Sequence, residues 1–372
     1  MHIDHFKEHF QTIIDQRQGA KVTYCLFEVL FGSLCAVIAG AKGWFDIREY
    51  IRGHHDWFNR NNLFLNGIPA DDTIARIIST IEPEQFHECF VNWMSSIHTL
   101  TDGQVIAIDG KTLRGSYNRE DRTSTIHMIS AYASSNKLVL GQLKTEQKSN
   151  EITAIPELIK MLDIKGALVT IDAMACQTKI AKAIVDQGGD YLLAVKSNQG
   201  KLRQAIEKAF SSQQANVANN ISLEQGHGRI ESRQCYAFDS TKLEGNFSRK
   251  GLKSIVMVEN FRLEKGKSVD LEYRYYISSK ALSAEQAAMA VREHWGIESM
   301  HWVLDVTMNE DACQIYKDHG AENLSCLRHM SLNMLREEPT KLSIVGKQKR
   351  CMMNTSMLEA VLSAGFSQMA KN

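Results

Sequence analysis

Two short apolar runs of the 372-residue chain each end on a carboxylate, V-I-A-I-D at Asp109 and L-V-T-I-D at Asp172. A pair of acids carried by strand ends can hold a hard divalent cation such as Mg²⁺, because such ions take oxygen ligands. One aspartate before a glycine is by itself a hairpin signal, and Asp172 has an ordinary alternative as the N-cap of the next helix. Two such acids on parallel neighbouring strands would stand together at the C-terminal edge of a sheet, where α/β proteins bind ligands. A two-metal site needs a third acid. The segment V-R-E-H-W-G-I-E-S-M-H-W-V-L-D-V sets His294, Glu298, His301 and Asp305 on one helical face. By spacing alone Glu293, Asp305, Glu310 and Asp311 compete with Glu298 for that role. Lys111, Arg114 and Lys196 follow the strand ends closely and would meet phosphates there, or lie solvated in turns. Asn198 and Gln199 could hydrogen-bond to the same ligand.

The elements that must carry these residues can be read in outline. Residues 1 to about 100 are helical in pattern, with Asp71 or Asp72 as an N-cap. From Gly103 the order reads β-β-β-α-β-α-β, which predicts a mixed sheet covered by helices. Ser211 to Asn220 reads as a loop, and strand-like pieces resume at R-Q-C-Y-A-F, S-I-V-M-V-E-N-F-R and L-E-Y-R-Y-Y-I-S-S. From Ala284 to roughly Arg336 the pattern is helical again. Trp295 and Trp302, seven residues apart, read as an inward apolar stripe, and His294 and His301 as packing groups. The basic tail K-L-S-I-V-G-K-Q-K-R reads as solvated.

Composition bounds the function without choosing it. Lys plus Arg and Asp plus Glu balance at 43 each, which neither favours nucleic acid nor excludes a local basic groove. The 8 cysteines form no C-x-x-C or zinc spacing and read as reduced core thiols of a cytoplasmic protein. The 13-residue apolar run Val29 to Ala41 falls short of the ~20 residues of a membrane span.

The motifs I-D-G-K-T-L-R-G-S, I-D-A-M-A-C-Q, D-Y-L-L-A-V-K-S-N-Q and H-W-G-I-E-S-M-H-W-V-L-D-V, in this order, resemble those of bacterial insertion-sequence DDE transposases. The group most similar is the H-repeat-associated one, found near Rhs elements, and the resemblance runs through most of the chain. It implies an RNase H-like α/β fold over residues 101–372, with a β-rich insertion at about 211–280 and a helical domain over 1–100. It implies that Asp109, Asp172 and Glu298 are the catalytic D, D and E, binding Mg²⁺ with Mn²⁺ as substitute. The partners it implies are double-stranded DNA and a second copy of the chain, on two DNA ends. Many related transposases carry a Tyr seven before the Glu, an Arg four before and a Lys seven after. Val291, His294 and Asp305 stand there instead, so the charge for DNA is expected from residues such as Arg292 and Lys196, with His294 at the DNA edge.

Three rivals stand beside this reading. A nuclease of the same fold could cleave without joining, and a DNA-binding remnant could do neither. A helical di-metal protein would use Glu298-x-x-His301 and Glu84-x-x-His87, but the β-rich middle opposes it.

Overall fold

In the computed structural model the run before Asp109 opens strand β1 (Val105–Leu113), and the run before Asp172 is strand β4 (Leu168–Ile171). The two pair in parallel, with Ile108 opposite Ile171. Asp109 and Asp172 follow one step later on each chain and so stand side by side. The structure describes residues 2–19, 22–118, 120–145, 151–211, 219–226, 229–247, 249–264 and 270–366.

β1 continues into an antiparallel meander of β2 (Ile126–Ala133) and β3 (Leu138–Thr145), and β5 (Asp190–Val195) runs parallel to β4. The strand order 3-2-1-4-5, with β2 alone reversed, is that of an RNase H-like sheet, as the motifs implied. Every residue of β4 is buried, as a near-continuous apolar strand covered on both faces should be.

Alternation along β1 assigns the faces. Ile106 and Ile108 pack with α7 (Glu151–Met161), α8 (Thr178–Asp186) and α9 (Gly200–Ser211). Val105, with Leu168 of β4, packs against α10 (Ala284–His294). Asp109 and Lys111 share the Val105 face, and Asp172 shares that of Leu168. All three therefore meet the layer of α10 and of α11 (Gly296–Val306).

Residues 219–278 extend this sheet rather than standing apart from it. Strands β6 (Asn219–Gly226), β7 (Arg229–Asp239), β8 (Ser254–Glu264) and β9 (Asp270–Ser278) form an antiparallel ribbon, and β9 pairs with β5. One nine-stranded sheet results. Of the segment expected as a loop, Asn219 and Asn220 open β6, Ser211 ends α9, and 212–218 lie outside the described residues.

The helices α1 (His2–Phe10), α2 (Leu26–Ile38), α3 (Trp44–Gly53), α4 (His55–Arg60), α5 (Asp71–Ser79) and α6 (Pro83–Ile97) precede the sheet. They close around α12 (Gly320–Glu337), which is buried from Gly320 through Leu335 and touches α2, α5, α6 and β3. α13 (Ile344–Met353) and α14 (Thr355–Phe366) complete this cluster. Among the described residues no helix is long and apolar enough to cross a membrane; Val29 to Ala41 lies mostly in the buried α2.

Four local expectations give way. The helix through 294–305 breaks at Trp295, before Gly296, a residue with poor helix propensity. Trp295 and Trp302 are 41% and 61% exposed rather than inward, because Ile297, Met300 and Leu304 supply the buried stripe of α11. Ala70, not an aspartate side chain, caps α5; Asp71 is its first helical residue and pairs with Arg48 at 2.8 Å. The basic tail is largely α13, whose Lys347 is buried and bonds the Leu335 carbonyl at 2.7 Å and the Glu338 carboxylate at 3.1 Å.

Candidate active site

Asp109, Asp172 and Glu298 line one cavity of about 520 Å³, at the junction of β1, β4, β5, β9 and the α10–α11 break. Each acid arrives by a different local rule. Asp109 sits inside β1 where its partner β4 has ended, and Asp172 starts the 3₁₀ turn Ala173–Ala175 without a capping bond. Glu298 stands in the first turn of α11, close to that helix's positive end.

The acids feel one another. Burial first, and then Asp172, Glu151 and Glu298, push the Asp109 carboxyl up to about 7, against a bond from the Gly110 backbone. Burial and then Asp172 also raise Glu298, while Arg274 opposes them. Repulsion thus adds to burial at Asp109 and Glu298, and carboxylate oxygens are the ligands a hard cation takes. As the side chains stand, no group of three His, Cys, Asp or Glu among the described residues is drawn close enough to grip an ion.

His301, one turn after Glu298, approaches Asp109 with its Nδ1 3.7 Å from the carboxylate. Burial, and Lys111 next, press its pKa down to about 3, so the contact is between a neutral ring and an acid and not an ion pair. His294, lowered by burial, is hydrogen-bonded to Thr170 of β4 at 2.9 Å and sits near Asp172.

The cations expected at phosphates mostly do other work. Lys196 lines the cavity, 3.9 Å from Asp172, with 65% of its side chain exposed. Lys111 is largely withdrawn from solvent: Asp305, Glu310 and Asp311 enclose it, with Glu310 at 2.5 Å, because it points from β1 under α11. Arg292 pairs with Glu224 of β6, and Arg114 reaches Asp311 at 3.5 Å. The Asn198 amide donates to the Ala173 carbonyl at 2.7 Å and so braces the turn after Asp172, while Gln199 accepts from Arg249 at 3.0 Å.

Sequence reading missed two groups. On the far face of β1, half-buried Thr112 and buried His127 and Glu151 form a chain, with His127 2.9 Å from Thr112 and 2.6 Å from Glu151. Gly110 makes room for it, since a Cβ there would overlap both Glu151 and His127. The second group is Arg274 with Tyr275 and Tyr276 on β9, which form part of the cavity wall. The interleaved basic and aromatic residues of L-E-Y-R-Y-Y were the available signal for it.

A sheet of RNase H-like order with two adjacent aspartates and a helix-borne glutamate at one cavity is the architecture of a polynucleotidyl-transfer enzyme. Residues 100–334 match the transposase DDE domain and residues 7–94 match the DDE_Tnp_1-associated region. The chain belongs to the DDE transposase family, whose enzymes use divalent metal ions and act on DNA. Its relatives place it in the H repeat-associated, insertion-sequence-type group. YhhI of Escherichia coli K12, named as H repeat-associated, is 45% identical over 98% of this chain and 99% of its own. YncI of Escherichia coli O157:H7, which also carries a transposase name, is 46% identical over 98% of this chain and 96% of its own. A piggyBac transposase synaptic complex with hairpin DNA superposes with a TM-score of 0.47 at 13% identity, over 98% of this chain and 80% of that one.

Proposed function

We propose that the protein cuts double-stranded DNA at the ends of its element and joins the freed ends to target DNA, with Asp109, Asp172 and Glu298 as ligands of Mg²⁺, for which Mn²⁺ substitutes. The observation that carries this reading is the meeting of these three acids, from β1, the end of β4 and α11, at one cavity. The donor set is all oxygen, which suits a small hard cation. When bound, the ions activate water or a 3′-hydroxyl and stabilise the leaving oxygen.

The chain's own residues prepare that chemistry. The sheet holds Asp109 and Asp172 adjacent, and α11 carries Glu298 to them. Lys196 brings an exposed ammonium to the mouth for phosphate. Burial presses His301 down to about 3 and lowers His294, so burial works against added positive charge on the carboxylate side. Residues 1–100 serve as the associated helical domain and 101–372 as the catalytic one, and two copies bridge two DNA ends.

The test is cleavage of the DNA flanking the gene, with Mg²⁺ and with Mn²⁺, by the native protein and by Glu298→Gln. Loss of cleavage with DNA binding retained is expected. Undiminished cleavage by Glu298→Gln would remove Glu298 from the site, and nicked product that never joins a target plasmid would reduce the protein to a nuclease.

A further inference from the structure

The cavity needs more positive charge than the motif residues bring to it. Lys111 is enclosed by acids, Arg292 is paired with Glu224, and of the expected cations Lys196 is the one that lines the cavity. A polyanionic strand entering beside three carboxylates needs cations placed next to them.

β9 brings one. Arg274 lines the cavity from the strand that joins β5 to the ribbon. Its guanidinium lies 4.8 Å from the centre of the Trp295 ring, at the break between α10 and α11 and three residues before Glu298. It donates to Glu272 at 2.8 Å, and that carboxylate is 52% exposed. Its charge reaches Glu298, where it opposes the upward shift. Tyr276, two residues along on the same face of β9, bonds Arg274 and feels Asp172. One face of β9 thus runs past two of the three acids.

A guanidinium lying over an indole face can turn its edge N–H groups to fork onto two oxygens of a phosphate once Glu272 gives way. Glu272, being solvated, is a partner that a phosphate can displace. We propose that Arg274, seated over Trp295, binds the phosphodiester backbone of the DNA strand at the phosphate neighbouring the one that reacts. This rests on the reading of the cavity as the DNA-cutting site. It gives the β6–β9 ribbon a role in substrate binding that none of the motifs carries.

The experiment measures binding of a duplex from the gene's flank in EDTA, across a salt series, for the native protein, Arg274→Gln and Arg274→Lys. Arg274→Gln should flatten the slope of log affinity against log salt by about 1. Arg274→Lys should restore the slope but not the cleavage rate, because an ammonium cannot fork or stack in the same way. A single methylphosphonate, moved along the duplex, should weaken the native protein at one position beside the cut and leave Arg274→Gln unaffected there. Equal slopes for all three proteins, or equal loss at that position in native and Arg274→Gln, would overturn the proposal. Cleavage by the native protein with Mg²⁺, run in parallel, reports on the cavity reading separately: native protein that binds but never cuts defeats that reading, whatever Arg274 does.

Discussion

The ammonium of Lys111 lies 2.5 Å from the carboxylate of Glu310, with 10% and 1% of the two side chains exposed. Lys111 stands two residues beyond Asp109 on the same face of β1, and it also pairs with Asp305, seven residues beyond Glu298 on α11. β1 and α11 are therefore tied together at a second rung beside the acids. Burial lowers the carboxylate's tendency to ionise, but Lys111, together with His329 and Arg328, offsets it and holds Glu310 down to about 2. A lysine that looked in sequence like a phosphate contact is the buried counter-ion that seats the helix carrying Glu298.

Lys111→Met should therefore act on the fold first. It leaves Glu310 buried without its cation, which costs about 3–5 kcal/mol. Urea denaturation should show the unfolding free energy falling by that amount, read as a lower midpoint, with cleavage lost as α11 loosens. A variant as stable as the native protein would mean that the pair is not a tie.

Asp109→Ala and Asp172→Ala should each abolish cleavage and keep most DNA binding, since neither acid attracts a polyanion. The loss should exceed the roughly 10–100-fold that follows removal of a group merely supporting a metal ligand. Cleavage rates and gel-shift affinities measured on the same preparations check this. Either variant cutting at the native rate would refute the ligand assignment.

Gly110→Ala tests the chain behind the site. The new methyl must displace Glu151 and His127 from each other. Overpacking of this kind costs about 1–3 kcal/mol, and the push falls on the residue next to Asp109. A lower melting temperature together with slower cleavage is expected, and unchanged values of both would show that the far face yields freely.

Acid should weaken the protein through its buried histidines. Burial holds His329 down to about 4 and His87 to about 3, against the ordinary 6.5. Between pH 6.5 and those values the unfolded chain takes up protons that the fold refuses. Their contribution is whole above pH 6.5 and is lost progressively as pH falls through that window. The melting temperature of the native protein should approach that of His329→Leu as pH drops from 7 to 5. A gap that stays constant would show that His329 is not titrating as described.

Much of the chemistry was legible locally. An apolar run that ends on an acid is visible in sequence, and so is the alternation of strands and helices from Gly103 to Val195. Those features, with the ordered motifs, pointed to Asp109, Asp172 and Glu298 as candidates and to an RNase H-like mixed sheet. The fate of the charged side chains was not legible. Lys111, Lys196, Arg274 and Arg292 are alike in sequence, each a cation near an element end or within a strand. Which of them is enclosed depends on strands and helices far away in the chain: Glu310 closes over Lys111, whereas Arg292 stays largely exposed beside Glu224 and Arg274 lies over Trp295. The exposure of Trp302 was likewise set by the three other apolar residues that won the inward face of α11. Sequence by itself determined which acids stand at strand ends and the order of the elements that carry them, because period and strand-end placement are local. Only the tertiary structure decided which charges remain free to act, because pairing and burial are properties of neighbours that the chain brings together on folding.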